Sequence, residues 1–384
     1  MSSWVHNRLE ITEMTPKSQS LAIKFCALNS TQIAQAQVAS TFLVLFLLEV
    51  ISFTELGILF AIQFGLTALL DYPTGALGDA IGHKMVLAFA YCCYAGSIVF
   101  LLIGNSFMEF ILFAALTALG GSQESGTLQS WFDNNYRVTM GDKDKDRKIF
   151  GAFFGKMQAI ARIISGSMFI GGGIIAAAHS RKILFICQLF LVLIALGFII
   201  LLMNNEEGIE IPQRTLNAYI DRLKGGLQFV ASSRGTLLYF LCTAAFFATI
   251  SIWGGLMLFP FYEGYSGSDE YIGLLRAIIF ATGIFWQLFG ARLSKKVDNI
   301  HRGQFLTTLM LQIVFFSLVF GFYNLFPPPN AFVLTSFVGV VILFQFISLS
   351  IGLERIFRRR LLIELVPNKY RNAVYSFMPT LQLL

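Results

Sequence analysis

Long apolar runs, each about the length needed to cross a lipid bilayer, recur along the whole 384-residue chain. A spanning helix needs about 20 mostly apolar residues, because its backbone polar groups must be satisfied within the helix itself. Only 13% of the residues are charged and 56% are hydrophobic, whereas a soluble protein carries about 25% charged residues. We therefore predict an all-α polytopic membrane protein and exclude an ordinary soluble enzyme. The runs lie at 27–48, 54–74, 85–103, 107–128, 149–176, 181–203, 235–259, 270–292, 303–326 and 331–354, and an eleventh begins near residue 372.

Basic residues are concentrated in alternate loops. Of the 28 Lys and Arg residues, 23 fall in the N-terminal tail and every second loop, two (Arg181 and Lys182) fall on the other side, and three lie inside apolar segments. Because Lys and Arg near membrane segments stay in the cytoplasm, we expect a cytoplasmic N-terminus. The net charge of +6 thus reports orientation, and no nucleic-acid partner is predicted. We expect a monomer in the plasma membrane, with the lipid bilayer and a small-molecule substrate as its partners.

The longest connection, between the sixth and seventh segments, marks a domain boundary. Its residues 215–230 place apolar side chains on one helical face, which indicates a helix lying on the inner membrane surface or an ordinary loop helix. We therefore predict a cytoplasmic tail (1–24), a six-helix bundle (25–203), a linker with an amphipathic helix (204–233) and a second bundle (234–384).

Cysteine and histidine show no pattern typical of a cofactor site. The five Cys lie in or beside apolar segments, and the four His are scattered over the tail and separate loops. Neither spacing fits a metal centre or a disulfide framework. We predict no metal and no cofactor, and the lack of a clustered nucleophile and base argues against a membrane-embedded enzyme.

A glycine-rich loop motif follows the second segment, where residues 71–84 read D-Y-P-T-G-A-L-G-D-A-I-G-H-K. The order Gly75, Asp79, Gly82, Lys84 resembles the signature G-x-L-x-D-x-x-G-R-K of the major facilitator superfamily, in the same loop, with His83 in place of the first basic residue. The glycines suit a tight turn, and Asp79 suits the positive N-terminus of a neighbouring helix.

Two further loops support this resemblance. The end of the fourth segment, with Asp133 and then Arg137, is similar to the Gly-then-acid ending of many members. Residues 367–376, which include Arg371, are similar to the family pattern P-x-x-x-R-A-T-V-x-S, and residues 290–298 weakly repeat the first loop. The resemblance extends from about residue 25 to the end of the sequence.

The resemblance implies a secondary transporter with two pseudo-symmetric six-helix bundles that alternately open a central site to each side of the membrane. Its signature loops then act as a cytoplasmic gate between the bundles. Equivalent landmarks are displaced by similar distances, 215 residues from Gly75 to Gly290 and 224 from Arg147 to Arg371. We therefore expect a C-terminal bundle truncated in its eleventh helix, with a twelfth helix that ends near residue 427, about 43 residues further on.

Glu124 and Lys156 are ionisable residues inside apolar segments, where charged groups cost about 2.5 to 3.5 kcal/mol and default to a functional role. They lie in adjacent antiparallel segments and can pair. One interpretation is a structural ion pair that fixes two helices. The other is that Glu124 binds the coupling proton, since desolvation and a nearby cation act on it in opposite directions.

Arg162 lies near the middle of the fifth segment, on a polar stripe of small residues that includes Gln158. It is either a central-cavity residue that contacts substrate or a structural arginine. Gln63 and Gln287 occupy comparable places in the second and eighth segments and are further candidates of the same kind.

Two other features of the apolar segments have structural interpretations. Arg276 lies about one turn inside the external end of the eighth segment, so we expect its side chain to extend to the membrane surface. The run of three glycines at 171–173 is similar to an antiporter signature without its Gly-Pro pair, and close helix packing explains it more simply.

The function that these patterns favour is proton-coupled export of a small organic compound, driven by the proton gradient. An importer or facilitator of a sugar or organic anion is the alternative within the same fold, and Arg162 favours an anionic ligand. A membrane receptor or scaffold that no longer transports is the alternative from another class.

Overall fold

The computed structural model describes residues 11–124, 126–204, 228, 234–294, 310–329 and 332–365, with the side chains of 71–81 and of several positions after 233 left outside the description. All regular elements in these residues are helices, which confirms the predicted fold class. The first half contains α1 (Pro16–Val38), α2 (Leu43–Leu48), α3 (Phe53–Ile81), α4 (His83–Ile103), α5 (Phe107–Glu124), α6 (Thr127–Met140), a 3-10 turn (Gly141–Asp144), α7 (Lys148–Ala178) and α8 (Arg181–Leu202).

The second half has the same character but contains π-helical turns. Its described elements are α9 (Arg234–Ile252), a π turn (Trp253–Met257), α10 (Leu258–Ser266), α11 (Asp269–Ser294), a second π turn (Met310–Phe315), α12 (Phe316–Leu325) and α13 (Leu334–Leu365). The predicted amphipathic helix of the linker lies outside the described residues apart from Gln228.

Helix α1 begins earlier than the apolar pattern predicts. The Thr15 hydroxyl accepts a hydrogen bond from the Ser18 amide at 3.2 Å, and Pro16 follows at the first helical position. This combination is a strong helix start, because it satisfies one free amide and fixes one backbone angle. Residues 16–24, predicted as tail, therefore form the first turns of α1.

Two glycines with positive φ separate consecutive helices. Gly82 (φ 91°) lies between α3 and α4, and Gly126 (φ 70°) lies between α5 and α6. Other residues rarely adopt this conformation. Gly75, in contrast, lies inside α3, so the turn predicted from Gly75 and Gly82 is confined to Gly82.

The chain divides into two compact units. The first comprises Met1–Ser40, Phe46–Met168 and Arg181–Leu216, and the second comprises Thr41–Leu45, Phe169–Ser180 and Asn217–Leu384. In the first unit, α5 packs against α3 and α4, and α8 packs against α1 and α4. In the second unit, α11 packs against α10 and α13.

Five helices of the described part are long and apolar enough to cross a membrane. They cover Pro16–Leu48, Phe53–Leu70, His83–Ile103, Lys148–Ala178 and Arg181–Leu202. Shorter apolar helices cover Ile313–Leu325 and Leu334–Phe346. These helices carry many exposed large hydrophobic side chains, as expected where lipid is the solvent.

Candidate coupling site

The carboxylate of Glu124, at the end of α5, is enclosed by polar side chains from two other helices of the first unit. Its Oε2 accepts a hydrogen bond from the Tyr94 hydroxyl at 2.6 Å. Its Oε1 accepts from the Gln32 amide of α1 and, at 3.3 Å, from the Tyr91 hydroxyl. Glu124 is partly buried, and these donors provide the hydrogen bonds that a carboxylate loses when it leaves water. We call Glu124, Gln32, Tyr91 and Tyr94 the coupling site.

Close packing of α4 on α5 brings the tyrosines to the carboxylate. Tyr91 and Tyr94 lie three residues apart on α4, and their rings meet edge to face with centroids 5.7 Å apart. A Cβ at Gly120 would come within 3.0 Å of both the Tyr94 ring and the Ala90 carbonyl. Gly120 therefore permits the close approach of α4 to α5. This approach places the Tyr94 hydroxyl against Glu124, which lies one turn after Gly120 on α5.

The α1 side of the site is also polar. Gln35 is 4% exposed, and its side chain interacts with the Tyr91 hydroxyl. Gln32 lies one turn earlier and donates to the carboxylate itself. Two amides and two phenols thus surround a single acid, and this arrangement can hold Glu124 in its anionic form or, after rotation of the hydroxyls, in its protonated form.

A second cluster, at the start of α4 and around α6, holds several residues of the predicted gate. Asp133 forms ion pairs with Arg137, at 3.0 Å, and with Arg147. The Arg147 guanidinium lies 3.8 Å from the centroid of the Phe150 ring. The Asn134 amide donates to Nε2 of His83 at 3.3 Å. The residues beside Gly82 and on α6 are therefore in contact within the first unit.

A buried carboxylate fixes the start of α7 beside this cluster. Asp144 accepts hydrogen bonds from the Tyr136 hydroxyl (2.8 Å), the Ile149 amide (3.1 Å) and the Phe150 amide (2.9 Å). Burial alone raises the pKa of Asp144, but the Phe150 amide, the Tyr136 hydroxyl and the Ile149 amide together hold that pKa below its usual range. Burial and the hydrogen bond to Asp144 raise the pKa of the Tyr136 phenol.

A comparison with known protein families identifies the family of this chain. Residues 25–384 match the sequence profile of the Major Facilitator Superfamily. The chain belongs to this superfamily. The match covers most of the chain, including both units, and it confirms the resemblance seen in the loop motifs. No curated protein sequence matches the chain significantly.

Solved structures of several transporters share the fold of this chain. A nucleoside transporter, NupG, superposes with a TM-score of 0.75 at 13% identity, covering 94% of this chain and 87% of its own. A D-xylose-proton symporter gives 0.63 at 14%, covering 95% and 87%. A peptide transporter, POT, in complex with sulfate gives 0.70 at 12%, covering 94% and 86%. Identity at this level establishes the fold alone.

Of the superfamily signature itself, the structure describes only part. Lys84 donates to the Asn204 side chain at 3.3 Å, and Gly82 provides the turn. The Asp79 side chain and all of Arg371 lie outside the description. The predicted role of Asp79 as a helix cap stays a prediction.

The described contacts of Glu124 do not include the ion pair predicted with Lys156, which stays a prediction. Among the described residues the partners of the carboxylate are Gln32, Tyr91 and Tyr94, so the site contains neutral donors where a cation was expected.

The structure describes the other predicted substrate residues only in part. On α7, Arg162 is partly buried, Gln158 is exposed and Ser165 is buried. Gln63 of α3 has its buried Oε1 without a hydrogen-bond partner among the described residues. The Gln287 side chain is outside the description.

Two contacts of the second unit were missed or misjudged at the sequence level. The Trp286 indole donates to Oε1 of Gln345 at 2.6 Å. Neither residue is charged, so the sequence pattern did not single them out. The Arg276 side chain makes contacts within the second unit that the sequence did not predict. It donates to the Thr41 hydroxyl at 2.7 Å, and its guanidinium lies 4.0 Å from the centroid of the Phe169 ring.

Proposed function

We propose that this protein is a proton-coupled transporter of a small organic solute and that Glu124 is the residue that carries the coupling proton. The observation behind the proposal is the coupling site: a carboxylate inside an apolar helix bundle, held by one amide and two phenols. A carboxylate at membrane depth is costly and is retained where it functions. The superfamily assignment supports the transporter part, since its members move solutes by alternating access.

The surroundings of Glu124 give a physical route to coupling. A group binds and releases protons when its environment alternates between one that favours the charged form and one that favours the neutral form. In this structure the carboxylate has three donors and no cation among the described residues. A second conformation that withdraws these donors or admits water changes the proton affinity, and the gradient then drives the conformational cycle.

For the direction of transport we propose export. The loop signature that contains Gly75, Asp79 and Lys84, together with an acid in the first half, supports it. The second candidate is symport, which is supported by the fold shared with a D-xylose-proton symporter. In either case we propose a monomer in the plasma membrane with a cytoplasmic N-terminus, the orientation that the distribution of Lys and Arg supports.

The test uses purified protein in proteoliposomes loaded with a pH-sensitive dye. A panel of nucleosides, pentoses, dipeptides and amphipathic cations is added from outside, with and without an imposed pH gradient. The substrate is the compound whose addition moves protons, and the sign of that movement separates symport from antiport.

Glu124→Gln then tests the coupling residue, because the amide imitates the protonated acid at nearly constant volume. We expect it to lose substrate-dependent proton movement while it retains exchange of labelled substrate for unlabelled substrate. Glu109→Gln is the matched control, since Glu109 lies at the other end of α5 and caps the backbone of Asn105 and Ser106. A Glu124→Gln protein that still accumulates substrate with a normal pH dependence contradicts the proposal.

A further inference from the structure

All partners of the Glu124 carboxylate among the described residues donate hydrogen bonds to it. Gln32 contributes an amide nitrogen, which can only donate, and Tyr94 and Tyr91 contribute hydroxyls. Both carboxylate oxygens therefore act as acceptors, as they do in the ionised group. The hydrogen-bond donors of the site favour the anion, and burial opposes them.

A proton on Glu124 cannot be added without rearrangement. A protonated carboxyl has an O–H that must find an acceptor. The Tyr94 phenol can rotate to accept it, but the Gln32 amide nitrogen cannot, so a proton on Oε1 faces a donor. A proton on Oε2 leaves Oε1 as a neutral carbonyl oxygen, which accepts from Gln32 more weakly than a charged carboxylate does. Protonation at either oxygen therefore weakens the contact that joins α1 to α5.

We propose that Tyr94 and Gln32 are positioning residues that stabilise the anionic form of Glu124, and that protonation of Glu124 releases the Gln32 contact between α1 and α5. This inference rests on the proposed role of Glu124. It adds the groups that set the proton affinity, and it names the helix contact that responds to the charge.

The described groups that face Glu124 carry no competing charge. From α4 come the phenols of Tyr91 and Tyr94, and from α1 the neutral amides of Gln32 and Gln35. The Cys93 thiol interacts with Tyr94 from its own helix. In the described part of the chain no Lys, Arg, His or second acid contacts the carboxylate. The pH response of the site is therefore that of one acid and its donors.

The two tyrosines form a matched pair for testing the proposal. The Tyr94 hydroxyl is 2.6 Å from Oε2, whereas the Tyr91 hydroxyl is 3.3 Å from Oε1. Replacing either by Phe removes one hydroxyl and keeps the ring that packs in the site. Strong hydrogen bonds from a hydroxyl to a carboxylate are about 2.5 to 2.7 Å long, a range that the Tyr94 contact meets and the Tyr91 contact does not, so the two substitutions should differ in their effect on proton binding.

The measurement is a pH titration of the carboxylic acid C=O band by infrared difference spectroscopy on the purified 384-residue protein without substrate. Loss of the band in Glu124→Gln assigns it. We expect Tyr94→Phe to move the midpoint upward by about one pH unit, a roughly tenfold gain in proton affinity, and Tyr91→Phe to move it by less than about half a unit. Gln32→Met should shift it upward, and Gln35→Met, one turn away, should not.

The release of the Gln32 contact is tested by amide hydrogen exchange at a single pH that lies above the infrared midpoint. Peptides that contain Gln32 should exchange faster in Glu124→Gln than in the unchanged protein, and Gln32→Met should match Glu124→Gln. Size-exclusion chromatography confirms that each variant is folded. Gln32→Met provides an independent readout if Tyr94→Phe fails to fold.

The outcomes separate this inference from the proposed function. If the band persists in Glu124→Gln, the titrating acid lies elsewhere and the proposed function loses its coupling residue. If the band is lost there but Tyr94→Phe and Tyr91→Phe shift equally or not at all, Glu124 still couples and the positioning role is wrong. Unchanged hydrogen exchange in Glu124→Gln overturns the release of the Gln32 contact.

Discussion

At the scale of single residues, Asp144 shows how one carboxylate stabilises a local structure. It accepts hydrogen bonds from the first amides of α7 and from Tyr136, as a helix-capping residue does. Its folded-state pKa lies below its usual range, so it contributes stability above the unfolded pKa of about 3.9. That contribution is lost as the pH falls through the lower, folded pKa.

We therefore expect Asp144→Asn, which keeps an accepting oxygen but loses the charge, to reduce the stability of the first unit by about 0.3 to 1 kcal/mol, and at most about 2 kcal/mol, at neutral pH, with a smaller difference in acid. Thermal unfolding in detergent at several pH values measures it. The control is Asp142→Asn on the same turn, whose side chain is 88% exposed and pairs with Lys145. Equal effects of the two substitutions would show that the cap contributes nothing.

The residues of the coupling site were only partly accessible to sequence reasoning. Glu124 could be found because an acid in an apolar segment is costly. Tyr91 and Tyr94 could not, since tyrosines in a membrane segment are common, and Gln32 lies 92 residues from its partner. The neutral donors around Glu124 could not be predicted either, because the choice of partner depends on how α5 packs on α4, which residue types do not reveal.

At the scale of helices, α7 and α11 approach each other closely in the second unit. A Cβ at Gly173 would lie 2.9 Å from the Asp269 carbonyl and 3.1 Å from Cα of Gly273. A Cβ at Gly171 would meet nothing within 4 Å. The close packing predicted from the glycine run is thus confirmed at Gly173 and does not involve Gly171.

Gly173→Ala should therefore destabilise the protein by about 1 to 3 kcal/mol, because the added methyl group has no room. Gly171→Ala should be neutral or stabilising by up to about 1 kcal/mol, since alanine favours the helix. The two variants differ by two residues on one helix, so thermal unfolding of both gives a direct comparison. A Gly173→Ala protein as stable as Gly171→Ala would mean that α7 and α11 do not make this contact.

Helix positions were predictable wherever apolarity alone decides them. Segments such as 85–103 and 181–203 correspond closely to α4 and α8. Helix α6 was missed because it is amphipathic, with Trp131, Phe132 and Tyr136 buried among polar residues that lower the apolarity of the sequence. The π turns at Trp253–Met257 and Met310–Phe315 have no sequence signal of this kind.

At the scale of the whole molecule, the fold could be predicted because two independent signals agree. Apolar runs determine that the chain crosses the membrane repeatedly, and the spaced glycines and charges of residues 71–84 identify the superfamily. The substrate could not be predicted in this way, since it depends on a few side chains whose neighbours come from distant parts of the chain.

Orientation in the membrane is the prediction that belongs to this scale. The connection before α7 carries Arg137, Lys143, Lys145, Arg147 and Lys148, whereas the connection before α8 carries Arg181 and Lys182. Lysine and arginine are retained on the cytoplasmic side during insertion. The first connection is therefore expected inside the cell and the second outside. An even number of predicted segments separates the N-terminus from the first connection, so the N-terminus is expected inside as well.

Two single-cysteine variants test this orientation in the membrane, in a protein whose five native Cys have been replaced. Lys145 and Lys182 are both exposed to solvent, so a cysteine at either position is equally accessible once its side of the membrane is reached. A membrane-impermeant maleimide added to intact cells should label Lys182→Cys at once and Lys145→Cys only after permeabilisation. Because the two positions flank the single helix α7, labelling of both in intact cells would mean that α7 does not cross the bilayer, and the reverse pattern would place the N-terminus outside.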